Sequence, residues 1–112
     1  MKLGDRAEQL AAEYLRDKGL AVIESRYRCR WGEIDLILRD RDTVVFAEVR
    51  LRHSKTFGGA AYSVDRRKQA RIIATARHYL AGTKEAACRF DVVLLDRVEP
   101  PRIEWIRDAF SA

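Results

Sequence analysis

The residues in this 112-residue chain with the clearest capacity for chemistry are Asp35, Glu48 and Arg50, with Glu8 as an outlying third acid. Asp40-Arg41-Asp42 is a turn signal between two strand-like runs, Gly32 to Asp40 and Thr43 to Arg52. With Arg41-Asp42 as a two-residue loop, Asp40 faces Thr43, Ile37 faces Phe46 and Asp35 faces Glu48. Facing residues of an antiparallel ladder share one side of the sheet, with Cβ atoms roughly 4.5–5.5 Å apart. Two carboxylates would then meet on a face otherwise lined by Val44, Ile37 and Phe46. Like charges in apolar surroundings repel and are poorly solvated, and a divalent cation removes that cost. Mg²⁺ or Mn²⁺, held by one or two carboxylates with water and a substrate phosphate, is the expected occupant. Arg50, two residues past Glu48, projects from the same face, where a cation can hold a phosphate or stabilise charge developing on it. Acid, acid and base in that order suit phosphodiester hydrolysis. A different loop length would shift the register by one residue and part the two acids.

The elements that position these groups follow from periodicity. Residues 5–18 form an expected helix with Ala7, Leu10, Ala11, Tyr14 and Leu15 on one stripe, and Gly19 where a left-handed cap is wanted. Glu8 lies in the row of Ala11, Ala12 and Leu15 at the stripe's margin, so it reaches the sheet surface as a third ligand or stays solvated. Glu33, on the same strand face as Asp35, is the reserve ligand. Leu20 to Glu24 opens the first strand, and Arg26 to Trp31 alternates strictly, with Arg26, Arg28 and Arg30 on one side and Tyr27, Cys29 and Trp31 on the other. The arginines are either phosphate contacts or the wet side of a strand. Trp31 is expected in the core, with base stacking as the alternative.

Residues 53–62, with Gly58-Gly59, read as a loop and match no phosphate cradle. A second helix runs from Ser63 or Asp65 to Ala81, buried along Ile72, Ile73, Ala76, Tyr79 and Leu80. Arg66, Arg67, Lys68 and Arg71 crowd its first turns, where the helix dipole disfavours cations; a phosphate partner or plain solvation accounts for them. Arg89 to Leu95 is a fourth strand, and Arg102 to Ile106, after Pro100-Pro101, an edge-like fifth. The order α-β-β-β-α-β-β describes one mixed α/β domain with a central sheet flanked by helices.

Composition bounds the function classes. Lys and Arg number 22 against 17 Asp and Glu, a net charge of +5 that suits a polyanion. Cys29 and Cys88 lack metal-ligand spacing, which argues against a zinc or disulfide scaffold and fits a reducing compartment. No apolar run has the length of a signal core or membrane span. The expectation is a soluble cytoplasmic protein without a membrane partner. His53 and His78 have no evident catalytic companions.

Several blocks in order carry a resemblance. They are Gly4 to Glu8 with Ala11; Arg28-Cys29-Arg30 before Gly32-Glu33-Ile34-Asp35-Leu36-Ile37; Phe46-Ala47-Glu48-Val49-Arg50-Leu51-Arg52; Phe57-Gly58-Gly59-Ala60; Val64-Asp65-Arg66-Arg67-Lys68-Gln69; Arg89-Phe90-Asp91-Val92-Val93; and Ala109-Phe110. Together they resemble the bacterial YraN-like family, which has the restriction-endonuclease-like fold and the PD-(D/E)xK nuclease signature. The resemblance implies that Glu8, Asp35 and Glu48 bind metal, that position 50 is the catalytic basic residue, and that Lys68 and Gln69 lie beside the site. The fold also resembles archaeal Holliday-junction resolvases, implying branched or structured DNA, rather than RNA, as the substrate class. One departure matters: the family pattern has Lys where this chain has Arg50. Guanidinium stays charged, whereas a buried ammonium can release its proton. Lys68 on the second helix is the candidate substitute.

Three readings follow. The first is a metal-dependent endonuclease in which Arg28, Arg30, Arg67, Lys68, Gln69 and Arg71 grip nucleic acid. The second is a binding module whose catalytic site has decayed. The third is a protein-interaction domain. Symmetric DNA cutting favours paired sites, which admits a homodimer.

Overall fold

In the computed structural model, which describes residues 3–51, 64–84 and 87–112, the first apolar stripe becomes helix α1 (Leu3–Asp17). Gly19 ends it at φ 98°. Its N–H donates to Arg16 O, and the Leu20 N–H reaches back to Leu15 O at 3.0 Å. These two bonds satisfy carbonyls that the helix end leaves orphaned. Leu15 and Leu20 are both buried beneath the cap, so the same turn that stops the helix seals the core.

The chain then enters β1 (Ala21–Cys29), β2 (Gly32–Asp40) and β3 (Thr43–Leu51). Arg41 takes φ 56°, as two-residue hairpin turns require at their first central position. The register is the expected one, with Asp40 facing Thr43 and Ile37 facing Phe46. Helix α2 (Arg66–Leu80) starts where Asp65 caps it, its side chain accepting the Lys68 N–H at 2.8 Å. It leads to β4 (Cys88–Val98), which pairs parallel with β3, and β5 (Pro101–Phe110) returns antiparallel. The five-stranded mixed sheet runs β1-β2-β3-β4-β5. Element order α-β-β-β-α-β-β is as the sequence predicts.

Strand alternation separates two cores. Leu36, Leu38, Val45, Ala47, Val93 and Leu95 meet α1, while Ile37, Val44, Phe46, Phe90, Val92 and Leu94 meet α2 through Ile72 and Ala76. Each buried aliphatic side chain of this kind contributes about 1.5–3 kcal/mol. The central strands are apolar on both faces because a helix covers each.

Two expectations need adjustment. Strand β5 continues to Phe110, four residues past the predicted end, because Asp108 takes φ 51° and a bulge between Phe90 and Val92 breaks the alternation that sequence reading relies on. Trp31 is not a core residue: it follows the last residue of β1 and is 47% exposed. The predicted loop over 53–62 and Arg52 lie outside the described residues. No helix among the described residues is long and apolar enough to cross a membrane.

Candidate functional site

The site forms where the sheet's regular pleat fails. Ile34 and Ile37, three residues apart, both pack on the α2 side, so alternation breaks between them, and Asp35 sits in the break. The β2–β3 ladder runs only as far as Leu36 facing Ala47. Beyond it, the Asp35 carboxylate replaces a backbone partner and accepts the Val49 N–H at 2.8 Å. Asp35 and Glu48 therefore meet as the hairpin register implies, close enough for each charge to act on the other, although they lie one step past the last ladder pair.

Burial, then the Glu48 charge beside it, pushes the Asp35 carboxyl up to about 7, against the opposing pull of the Val49 N–H and Lys68. Glu48 is only 8% exposed. Two cations converge on it: Lys68 Nζ lies 3.4 Å and Arg50 Nη1 3.5 Å from Oε2. Strand β3 projects Arg50 from the same face as Glu48, and the first turn of α2 brings Lys68 down from above. Asp65 fixes the start of that turn. Gln69 donates Nε2 to Val64 O at 2.6 Å, which pins the segment entering the helix.

Glu8 approaches from α1. Burial, then the Asp35 and Glu33 carboxylates, pushes its carboxyl up to about 7. Arg26 donates Nε to Glu8 Oε1 at 2.9 Å and pairs with Asp5. Glu8 thus belongs to the site's electrostatics, with Arg26 on one of its oxygens. Glu33, the reserve acid, accepts from Arg28 Nε at 3.1 Å. Arg30 lies over the Trp31 ring. Arg67 and Arg71 are exposed on α2.

A divalent cation fits the Asp35–Glu48 pair on the chemistry of the donors. Both are hard oxygen ligands, partly desolvated, and one is held toward its protonated form by the other. Among the described residues no cluster of three His, Cys, Asp or Glu side chains forms a metal cage. Water and a substrate phosphate would complete the coordination, as is usual for Mg²⁺.

Sequence reasoning assigned no structural role to two residues, one beside the site and one on the other face of the sheet. Arg26 takes φ 54° within β1, and a left-handed arginine leaves no local signature. Asp91, 1% exposed, accepts from Arg89 Nε, Trp105 Nε1 and the Asp108 N–H. Its donors come from β4 and β5, so only the long-range pairing reveals it as a buried structural carboxylate.

The sequence profile of the uncharacterised protein family UPF0102 matches residues 7–95 of the chain. The chain belongs to this family. A UPF0102 protein of Nitrosomonas europaea is 56% identical over 109 residues, covering 96% of this chain and 92% of the relative. One from Methylobacillus flagellatus is 52% identical over 111 residues, covering 99% and 98%. One from Nitrosospira multiformis is 48% identical over 109 residues. UPF0102 membership bears out the YraN-like resemblance at the level of family, and the matched span contains Glu8, Asp35, Glu48, Arg50 and Lys68.

Proposed function

We propose that this UPF0102 chain is a nucleic-acid-binding protein of nuclease fold whose Asp35–Glu48 site supports metal-dependent hydrolysis of phosphodiester bonds in structured or branched DNA. The observation that carries the reading is the convergence of Lys68 and Arg50 on Glu48 beside a carboxylate, Asp35, pushed up to about 7. An acid pair backed by two cations has the charge layout that phosphoryl hydrolysis needs. The resemblance to PD-(D/E)xK nucleases and junction resolvases supplies the substrate class.

Asp35 and Glu48 would hold Mg²⁺ or Mn²⁺, with Glu8 at the margin; such an ion would supply Lewis-acid activation of water and offset phosphate charge. The chain's own groups do the rest. Val49 N–H orients Asp35. Arg50, with its planar fork of donors, holds a non-bridging phosphate oxygen. Lys68, a compact ammonium, orients the attacking water. The water oxygen forms the new P–O bond as the opposite P–O bond breaks; the attacking water gives up one proton to solvent, and the leaving oxygen takes one up from solvent. Arg67 and Arg71, on the same helix as Lys68, meet the flanking backbone, with Arg28 and Arg30 on β1 and its turn. A symmetric pair of sites on a duplex would come from a homodimer.

The test is incubation of branched, single-stranded and duplex DNA with Mn²⁺, alongside an Asp35→Ala control. Cleavage that the substitution abolishes supports the hydrolase. The departure at Arg50 favours a second reading, a module that binds but no longer cuts, and salt-dependent binding without cleavage would establish it.

A further inference from the structure

We infer that Trp31 is a stacking platform for an unpaired nucleobase, so that the chain engages single-stranded or extruded nucleotides beside its carboxylate site. This rests on the nucleic-acid reading above. An exposed tryptophan alone would mean little. Trp31 stands out by its surroundings. It is 47% exposed, and the Arg30 guanidinium carbon lies over its ring, 4.6 Å from the centroid. On the helix side an open groove is lined by Trp31, Ala74, Arg77 and His78.

The turn that carries the ring is held firmly. A Cβ added to Gly32, at φ 149°, would meet Thr75 Oγ1 at 3.2 Å and Arg71 Cβ at 3.7 Å, so the backbone is pressed against the middle of α2. The Thr75 hydroxyl is buried and donates to Arg71 O, which keeps that contact surface small. The turn beside the groove is therefore anchored to α2.

Charge selects the occupant. Arg67, Arg71, Ala74 and His78 follow one another at helical spacing, forming an edge that begins next to Lys68 and ends at the groove. The ion pairs among the described residues leave out Arg67, Arg71 and Arg77. The rim of the groove is cationic, and it suits a polyanion with flat aromatic groups. Duplex DNA buries its base faces in the stack, so a side-on ring can hold only a base that is unpaired or flipped. Four residues of strand and turn separate Trp31 from Asp35, roughly 13 Å at about 3.3 Å per residue. A strand whose phosphate sits at the acid pair thus has a base within reach of the ring a few nucleotides away.

Oligothymidylate and a duplex of equal phosphate number, titrated in chelator with the full chain and with Trp31→Ala and Trp31→Phe, test the inference by anisotropy and tryptophan emission. The second tryptophan, Trp105, donates Nε1 to Asp91 and is common to all three proteins, so the wild-type difference isolates Trp31. Oligothymidylate should quench the Trp31 emission, and the alanine variant should lose at least about fivefold in single-strand affinity, with phenylalanine restoring most of it and duplex affinity unmoved. Equal single-strand affinity in wild type and Trp31→Ala overturns the platform while leaving nucleic-acid binding intact. Equal losses on duplex and single strand overturn it too, since the residue would then serve the backbone contact. A wild-type chain that binds neither nucleic acid at low salt overturns both readings together.

Discussion

Lys68 Nζ stands 3.4 Å from Glu48 Oε2, so helix α2 delivers an ammonium group to the carboxylate whose own strand supplies only a guanidinium. The two cations are not equivalent: the ammonium is a compact charge with three donors on a flexible stem, the guanidinium a planar fork. Lys68→Ala should therefore lower single-turnover cleavage with Mn²⁺ by about a hundredfold or more, the scale seen when one preorganised donor is lost. Arg50→Lys should hold or raise the rate, because the strand position would regain the ammonium of the family pattern. Equal rates in Lys68→Ala and wild type would remove the helix from the chemistry.

The Asp35 carboxyl, pushed up to about 7 by burial and by Glu48, sets a stability profile with a definite sign. A carboxyl whose folded pKa exceeds its unfolded value stabilises the fold while protonated. That contribution is complete below the unfolded value and is lost as pH rises through about 7. Without metal, the melting temperature should fall across that window, and Asp35→Asn should flatten the fall. Mn²⁺ should raise the melting temperature more at about pH 8 than at about pH 5, because protons compete for the same oxygens. Thermal melts over pH with chelator or Mn²⁺ measure this directly; a metal effect unchanged in Asp35→Asn would place the ion elsewhere.

Asp91 is a carboxylate of another kind. It is buried, yet Arg89, Trp105 and the Asp108 backbone supply its donors, and it lies on the α1 side of β4, away from Lys68. Removing one partner of a buried charged pair costs about 3–5 kcal/mol. Asp91→Ala should lose about that much in urea unfolding. Any cleavage rate, corrected for folded fraction, should stay near wild type. A stable Asp91→Ala protein with no activity would reverse the assignment of roles between Asp91 and Asp35.

The hairpin was readable in the sequence because two local signals agree, a polar two-residue turn and strict alternation around Ile37 and Phe46. Helix ends were readable at Gly19 and Asp65 for the same local reason. The contact between Lys68 and Glu48 was not, since it depends on how α2 crosses the sheet. Arg26 and Asp108 take left-handed backbone conformations that their residue types do not announce, and the β4–β5 register shifts near Asp108. Trp31 read as core because alternation places it with Tyr27. The strand ends at Cys29, however, and the ring two residues beyond it is released from the pleat.

Asp40 closes the opposite end of the sheet, and its behaviour in acid should mirror that of Asp35. Arg89 Nη1 donates to Asp40 Oδ2 at 2.9 Å and Arg107 Nη2 at 3.1 Å, and the Arg89 hydrogen bond is the largest cause holding the Asp40 carboxyl below its ordinary value. A depressed carboxyl stabilises the fold above its unfolded pKa, and the contribution is lost as pH falls through the lower folded value. Wild type should therefore lose stability in acid more steeply than Asp40→Asn, while near neutrality the variant should be weaker by about 1 kcal/mol, since Arg107 is exposed and water screens its share. The same substitution leaves Arg89 bound to Asp91 alone, so its cost should shrink in an Asp91→Asn background, as a double-mutant cycle detects. Additive effects of the two changes would mean that Arg89 does not couple the two carboxylates, and that β2 and β4 are held at this end by backbone pairing through β3 alone.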